Sequence, residues 1–291
     1  KEIQHEITVT TWQSIYKLPK KWFKQFNVIV GDEAHLFKAK SLTNIMSKLD
    51  DTPYRFGFTG TLDGSETHRL VLEGLFGPVE RVTTTADLIE KKNLADLKIN
   101  ICVLKHTVQN RTAQARAVYR DEINYLVDSA SRNEFIINLC KVLEGNSLLL
   151  FNFVRHGQEL FDMAKKLDKN CYFVHGGVKG EERNEIREIV EGDSSALIVA
   201  SYGTFSTGIN IKNLHNIVFG APSKSKIRVL QSIGRSLRTH ESKNKSKLYD
   251  IVDDLQKGKW INYTLKHYGE RVKLYNEEQF EYSIHSYNLK E

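Results

Sequence analysis

Short, continuously apolar runs alternate with helix-like segments along most of this 291-residue chain. Such alternation is typical of parallel sheets whose strands are joined by crossover helices and covered on both faces. We therefore predict an α/β fold. The predicted strands are 27–31, 54–59, 97–104, 147–154, 171–175, 196–201, 216–219 and 247–252, and the predicted helices are 66–75, 114–127, 132–143, 156–167, 181–190 and 225–239.

The predicted strands are unevenly distributed along the chain. The pattern is weakest between Gly77 and Asp96, and we place a domain boundary there. Residues 1–90 then hold two strands, too few for a doubly wound sheet, whereas residues 91–256 hold five or six. Residues 257–291 are rich in Tyr and Lys and predict one or two helices without a strand. We therefore expect an incomplete first domain, a complete second domain and a helical tail.

The charge balance favours an anionic partner. The chain has 42 Lys and Arg against 36 Asp and Glu, a net charge of +6 and a pI of about 9.0. Between Lys224 and Lys247, eight cations accompany the single carboxylate of Glu241, which predicts a nucleic-acid footprint. The sequence has no apolar run long enough to span a bilayer, no signal-peptide pattern, and three cysteines without disulfide or metal spacing. These features predict a cytoplasmic protein in a reducing compartment, with no membrane partner.

Two adjacent carboxylates, Asp32 and Glu33, follow the first predicted strand in the run Gly31–His35. Ligands of open α/β sheets bind at the carboxyl ends of the strands. An acidic pair there can hold Mg²⁺ through its water shell, while the second carboxylate orients or deprotonates the water that attacks a γ-phosphate. The alternative is an Asp-Glu pair that begins a helix, where the macrodipole favours negative charge.

Small polar residues follow two other predicted strands. Thr59, Gly60 and Thr61 come after the second strand and can pass hydrogen bonds between a phosphate site and a facing domain. The alternative is a plain turn in which Gly60 has a positive φ. Residues 201–210, rich in hydroxyls and glycines, follow a later strand and can bring backbone N–H groups against phosphates, or else form a flexible turn.

Gln231, Arg235 and Arg238 fall on one side of a predicted helix, while the apolar Ile233 and Leu237 can face a sheet. Guanidinium groups on a rigid helix suit phosphate oxygens. A guanidinium group that reaches the phosphate across a cleft acts as an arginine finger. The alternative is a solvated basic helix face.

In this order and spacing, the elements resemble the motif series of the superfamily 2 helicases. The similar stretches, in chain order, are Thr10–Ser14 (the T-x-Q-S stretch), Asp32–His35 (motif II, D-E-A-H), Thr59–Thr61 (motif III), Leu150–Val154 (IV), Val174–Gly177 (IVa), Thr204–Asn210 (V) and Gln231–Arg238 (VI, Q-x-x-G-R-x-x-R). Within that superfamily, the runs VASYGTFSTGINIKNLHNIV and KSKIRVLQSIGRSLRTHESK resemble the phage UvsW-type recombination helicases.

The resemblance implies two RecA-like domains and an ATP-driven motor that unwinds or remodels branched forks, junctions and R-loops in recombination, replication and repair. It implies ATP and Mg²⁺ as cofactors, branched or single-stranded DNA or an RNA:DNA hybrid as partner, and the host cytoplasm for a phage protein. It names no protein partner. By this resemblance, Asp32 would bind Mg²⁺, Glu33 would activate water, and Arg235 and Arg238 would bind the γ-phosphate. The residues implied to bind the nucleotide are Gly208, Asn210 and Gln231, and those implied to couple nucleotide state to domain closure are His35, Thr59, Gly60 and Thr61. The residues implied to bind nucleic acid are Thr11, Gln13, Ser14, Thr204, Thr207, Lys224, Lys226 and Arg228.

The sequence departs from the family pattern in one respect, because the phosphate-binding loop G-x-x-x-x-G-K-[ST] is absent from the 291 residues. In the family this loop precedes the T-x-Q-S stretch. We therefore expect a portion of the motor that by itself binds Mg-ATP poorly. Two alternatives stay open: a duplex translocase that does not separate strands, and a non-catalytic nucleic-acid-binding module. The aromatic residues of the tail, Trp260 and Tyr263 among them, either pack its helices or stack on bases.

Overall fold

The computed structural model describes residues 6–60, 62, 65–208, 211–221, 225–237, 240 and 245–290. The chain forms two compact units, unit 1 (Lys1–Val82) and unit 2 (Thr83–Glu291). The division falls before the predicted boundary at residue 90, because the helix Thr85–Glu90 belongs to unit 2. Its Thr85 hydroxyl donates to Glu278 Oε2 at 3.3 Å, and its Ile89 packs on the core of unit 2.

Unit 1 contains a two-stranded parallel sheet with helices on one face. The apolar core on that face is formed by Phe23, Phe37, Leu42, Ile45, Met46, Leu49 and Leu72. The elements are α1 (Trp12–Ile15), α2 (Lys20–Phe23), β1 (Val28–Gly31), a 3₁₀ helix (Ala34–Lys38), α3 (Lys40–Ser47), β2 (Tyr54–Gly57) and α4 (Glu66–Phe76).

The opposite face of the β1–β2 sheet is exposed. Val28 pairs with Tyr54 and Val30 with Phe56 in the parallel register, so these four side chains share a face. They are 49–60% exposed. The prediction that the strands are covered on both faces does not hold for β1 and β2, because among the described residues these two strands carry helices on only one side.

Unit 2 contains a seven-stranded, fully parallel sheet in the order β5-β6-β4-β7-β8-β3-β9. Its strands are β3 (Asp96–Lys105), β4 (Ser147–Phe151), β5 (Cys171–Val174), β6 (Leu197–Ser201), β7 (Asn216–Phe219), β8 (Lys245–Asp254) and β9 (Tyr282–Asn288). Its helices are α5 (Thr85–Glu90), α6 (Val108–Ala113), α7 (Tyr119–Asp128), α8 (Ala130–Val142), α9 (Val154–Ala164), α10 (Gly180–Gly192), α11 (Tyr202–Gly208), α12 (Lys226–Ser236) and α13 (Tyr263–Glu277).

Both faces of this sheet carry a core. Along β4, Leu148 and Leu150 belong to one apolar cluster and Leu149 and Phe151 to the other, and all four are fully buried. This alternation follows from the period of two in a strand, which turns successive side chains to opposite faces. The continuous apolar run of β4 is thus explained by burial on both sides, and the predicted α/β class is confirmed.

The predicted strandless tail is wrong. Residues 263–277 form α13 as expected, but Tyr282–Asn288 form β9, which pairs parallel to β3 at the edge of the sheet. An edge strand has only one neighbour, and the side chains of β9 are mostly exposed. Its sequence, YSIHSYN, therefore lacks the continuous apolar run by which the buried strands were predicted.

In the part of the chain that the structure describes, no helix combines the length and apolarity needed to cross a membrane.

Candidate functional site

The acidic pair lies directly after β1, on the edge of the sheet where its two strands end. Both carboxylates are exposed, and Asp32 Oδ1 accepts the backbone N–H of Glu33 at 2.9 Å. Glu33 has φ 50° and ψ 49°, the left-handed conformation that non-glycine residues seldom adopt. Such strain costs about 1–3 kcal/mol and concentrates at functional sites. The backbone therefore turns sharply at the residue predicted to act on water.

The backbone of the acidic loop is held against the end of β2. Phe58 N–H donates to Gly31 O, and Ala34 N–H donates to Phe58 O, both at 2.8 Å. A side chain at Gly31 would come within 2.9 Å of the Phe37 ring, so this close packing needs a glycine. The loop is thus fixed by two backbone hydrogen bonds and by tight contact with the core of unit 1.

A direct hydrogen bond connects the two predicted polar strand ends. His35 Nδ1 lies 2.9 Å from Thr59 Oγ1 and 3.3 Å from Glu33 Oε2. The His35 side chain is 7% exposed, whereas that of Glu33 is 49% exposed. The buried imidazole therefore links the acid to the threonine on the neighbouring strand. The structure thus brings together three of the predicted residues, Glu33, His35 and Thr59, at the ends of β1 and β2.

The donor set fits a magnesium ion that keeps much of its water. Mg²⁺ is typically held by one or two carboxylates together with the phosphates of a nucleotide. Asp32 and Glu33 supply two exposed carboxylates side by side. Across the described residues, no group of three or more His, Cys, Asp or Glu side chains could hold a metal ion by itself. The two carboxylates therefore suit an ion that also binds phosphate oxygens.

The predicted nucleic-acid contacts of unit 1 lie at the start of α1. Thr11, Gln13 and Ser14 are all exposed, and the Thr11 and Ser14 hydroxyls lie 3.0 Å apart. Their accessibility is what a contact with a phosphate backbone needs.

In unit 2, the predicted motif V residues follow β6 and lie on α11. Thr204 is 5% exposed, and its hydroxyl lies 2.8 Å from Ser201 Oγ. Ser201 Oγ also accepts the Thr204 N–H at 3.3 Å, which caps the start of the helix. The Thr204 side chain thus has a structural partner within this loop. Thr207 and Gly208 form the end of α11, and Asn210 lies outside the described residues.

The predicted arginine helix is α12. Its Ile233 and Leu237 side chains are buried in the core of unit 2, as the helical spacing predicted, and Gln231 is half-buried. Lys226, Arg228 and Arg235 also lie on α12. Three further predicted residues, Thr61, Lys224 and Arg238, lie outside the described residues.

A buried charge network at the ends of β3 and β8 was not predicted. Arg132 donates to Asp253 at 2.8 Å and to Gly220 O at 2.9 Å, and His106 Nε2 lies 3.1 Å from Asp253 Oδ1. Although burial opposes ionisation, Arg132 and His106 lower the pKa of Asp253 to about 2. Arg271 and Asp250 form a second buried pair at 2.8 Å. The sequence signal that could have revealed this network is the presence of Asp250 and Asp253 among the apolar residues of β8.

Two family models match the chain. The helicase conserved C-terminal domain matches residues 131–240, and the res subunit of type III restriction enzymes matches residues 1–64. The ATP-dependent DNA helicase uvsW of Enterobacteria phage T4 is 36% identical over 296 residues, which cover 97% of this chain and 59% of that protein.

Solved structures give the same result. The crystal structure of T4 UvsW superposes with a TM-score of 0.60 at 36% identity, over 96% of this chain and 57% of that chain. A fragment of a putative HsdR subunit of a type I restriction enzyme from Vibrio vulnificus shares the fold, with a TM-score of 0.68 at 15% identity over 95% of this chain and 51% of that chain. The chain spans a little over half the length of the UvsW protein that it matches. By these similarities the chain resembles the superfamily 2 helicases and is similar to phage UvsW.

Proposed function

We propose that this chain supplies the catalytic acids and the arginine helix of an ATP-driven nucleic-acid helicase. The observation that carries the proposal is the hydrogen bond between His35 and Thr59, with Glu33 strained and exposed beside it. A plain turn or a helix start needs no buried histidine between two strand ends. A site that senses a γ-phosphate and transmits its loss does need such a connection.

In this proposal, Asp32 holds Mg²⁺ through water and Glu33 orients or deprotonates the attacking water. When bound, the ion would neutralise negative charge on the phosphates. The left-handed backbone at Glu33 turns its carboxylate into solvent, and the bond from its own N–H to Asp32 orders the pair. His35 would hold the Glu33 carboxylate in place through the 3.3 Å contact.

Arg235 and Arg238 would stabilise the charge that develops on the γ-phosphate, with Gln231, Gly208 and Asn210 near the nucleotide. The support for Arg235 is its place on α12, whose apolar side is anchored in the core by Ile233 and Leu237. A rigid helix limits the entropy lost when a guanidinium binds a phosphate. The order of the motifs supports a role in ATP hydrolysis for both the acids and the arginines.

We propose DNA, branched or single-stranded, as the substrate, with an RNA:DNA hybrid as an alternative. The relative named as an ATP-dependent DNA helicase supports DNA, and its phage origin supports the host cytoplasm as the compartment. The exposed Thr11, Gln13 and Ser14 would bind the strand backbone together with Thr207, whereas the buried Thr204 hydroxyl is held by Ser201. Backbone contacts predict little sequence preference and a strong dependence on salt.

The test is nucleic-acid-stimulated ATP hydrolysis by the complete gene product that contains this chain. Glu33→Gln should lower the rate about 10²–10⁴-fold, since general-base catalysis typically contributes that much. The matched control is Glu80→Gln, an exposed carboxylate of the same unit. Equal rates for the two variants would contradict the proposal. A forked-duplex unwinding assay beside a triplex-displacement assay separates a helicase from a duplex translocase.

A further inference from the structure

A surface rich in cations lies at the edge of unit 2 where β3 and β8 end. Two segments form it, residues 106–120 after β3 and residues 255–269 after β8, and neither contains an Asp or Glu. Together they carry six cations: Arg111, Arg116, Arg120, Lys257, Lys259 and Lys266. We call these two segments the basic-aromatic surface. A concentration of one sign of charge on one edge attracts an anionic polymer.

The strand register places the two segments side by side. Lys105 at the end of β3 pairs with Asp254 at the end of β8, and the next residue, His106, donates its N–H to Asp254 O at 3.3 Å. Lys257 Nζ donates to Thr112 Oγ1 at 2.7 Å, which joins the segments. The surface is therefore continuous rather than two separate loops.

A buried carboxylate fixes the surface from beneath. Glu122, fully buried, accepts the N–H groups of Tyr263 and Thr264 at 2.8 and 2.7 Å, and Asn262 Nδ2 at 3.1 Å. These donors form the start of α13, whose N–H groups would otherwise lack partners. Glu122 thus fixes the start of α13 from beneath, and no part of its carboxylate is exposed.

Two of the six cations have uncharged partners: Lys257 Nζ bonds to Thr112, and Lys266 Nζ lies 5.4 Å from the centroid of the Tyr263 ring. Among the described residues, none of the six forms a salt bridge. The buried Nε of Arg111 has no hydrogen-bond partner in the described part of the chain. Asp121, Asp254 and Glu270 flank the segments; Asp254 Oδ1 accepts the Gln256 N–H at 3.0 Å, and Glu270 pairs with Lys273 at 2.9 Å. An unpaired, partly buried guanidinium gains from an anionic partner.

Exposed aromatic rings lie among these cations. Tyr119 is 46% exposed and Tyr263 is 38% exposed, and their rings meet edge to face with centroids 5.7 Å apart. Lys257 and Trp260 close a tight turn through mutual backbone hydrogen bonds of 3.1 and 3.0 Å, which leaves Lys259 exposed at the tip. Tyr275, by contrast, is fully buried, and its hydroxyl donates to Asp250 Oδ2. Tyr119 and Tyr263 are thus not required to fill the core.

We propose that the basic-aromatic surface binds single-stranded nucleic acid, with its cations on phosphates and the Tyr119 and Tyr263 rings stacked on bases. Exposed rings favour a single strand over a duplex, since a duplex hides the faces of its bases. The inference rests on the proposed function for the class of ligand. It extends the interface beyond the motif loops to a surface that those motifs do not include.

The first test is fluorescence anisotropy of the complete gene product with a labelled oligo(dT) strand, without nucleotide. Lys259→Glu should weaken binding about tenfold and reduce the slope of log K against log salt, because each lost phosphate contact removes about 0.7 from that slope. The matched control is Lys141→Glu. Lys141 is an exposed lysine near the end of α8, shortly before β4 begins, and so lies at the end of the sheet where the strands start. Equal affinities for the two variants would overturn the inference.

The second test separates stacking from charge. Tyr263→Leu should weaken oligo(dT) binding several-fold, whereas Tyr263→Phe keeps the ring and should bind as the unaltered protein does. Both variants should melt as the unaltered protein does, which guards against a folding defect. If Tyr263→Leu lost duplex binding while its affinity for the single strand stayed unchanged, the inference would be overturned. If the protein hydrolyses ATP but Lys259→Glu does not change its affinity for oligo(dT), this inference alone fails. If the protein does not hydrolyse ATP, the proposed function fails.

Discussion

The two units present the same kind of strand in different surroundings. In unit 2, β4 is fully buried, with apolar clusters on both faces. In unit 1, β1 is similarly apolar and β2 carries Tyr54 and Phe56, yet Val28, Val30 and Phe56 are about half exposed. The comparison teaches that the local sequence determines that a segment is a strand, whereas the number of neighbouring strands and helices determines what covers it.

The largest stability loss should come from breaking the buried charge network of unit 2. Asp253→Ala leaves Arg132 buried without its partner and should lower the free energy of unfolding by about 3–5 kcal/mol. The control is the neighbouring Asp254→Ala, which loses a single backbone hydrogen bond and should cost about 1 kcal/mol or less. Urea unfolding measures both, and similar losses would show that the network adds nothing to unit 2.

A pair of truncations compares the two sheets directly. Leu149→Ala, at a fully buried position of β4, should cost about 2–5 kcal/mol in urea unfolding. Val30→Ala, 60% exposed on β1, should change stability by only about 0.5 kcal/mol. The same Val30→Ala measurement on the complete gene product tests the exposed face: a cost near that of Leu149→Ala would mean that further chain covers it.

The covered face of unit 1 should be sensitive to a single added methyl group. In Gly57→Ala the new Cβ would lie 2.9 Å from the Phe76 ring and 3.0 Å from the Ala34 Cβ, which should cost about 1–3 kcal/mol. Gly74→Ala, in α4 with no atom within 4 Å of the new Cβ, should be neutral or stabilising by up to about 1 kcal/mol. Thermal melting of the two variants decides, and equal melting temperatures would contradict the tight packing.

Acid should destabilise unit 2 through His156. This side chain is 1% exposed, and burial, helped by the charge of Arg132, lowers its pKa from 6.5 to about 3. The unfolded chain takes up a proton below pH 6.5 that the folded chain refuses, so stability falls as the pH decreases from 6.5 towards 3. The slope approaches about 1.4 kcal/mol per pH unit.

His156→Gln should flatten that decline in urea unfolding between about pH 7 and pH 5, since glutamine does not titrate. It can still donate a hydrogen bond to Asn133 Oδ1, the present partner of His156 Nε2. An unchanged slope would mean that another group controls the acid sensitivity.

Much of the fold could be predicted because burial on both faces leaves a plain signal. The eight predicted strands all occur, with ends shifted by a few residues. The ninth, β9, was missed because an edge strand with exposed side chains alternates polar and apolar residues. The short helices α1 and α2, each of four residues, are too brief to show a helical period.

The candidate site was predicted as residue types but not as contacts. Asp32, Glu33, His35 and Thr59 were identified from their places after predicted strands. The bond between His35 and Thr59 depends on the parallel pairing of β1 with β2, which a single sequence does not give. Glu122 was missed because a carboxylate within a helix looks like a surface residue unless its backbone partners are known.

The central proposal is that Glu33 and Arg235 both take part in ATP hydrolysis by the complete gene product. The most direct test is a double-mutant cycle on nucleic-acid-stimulated ATP hydrolysis by the complete gene product, with Glu33→Gln, Arg235→Ala and their combination. Residues that act as a unit are strongly non-additive, so each single variant should lose about 10²-fold or more and the double variant little beyond that. Small losses that simply multiply in the double variant would contradict the claim.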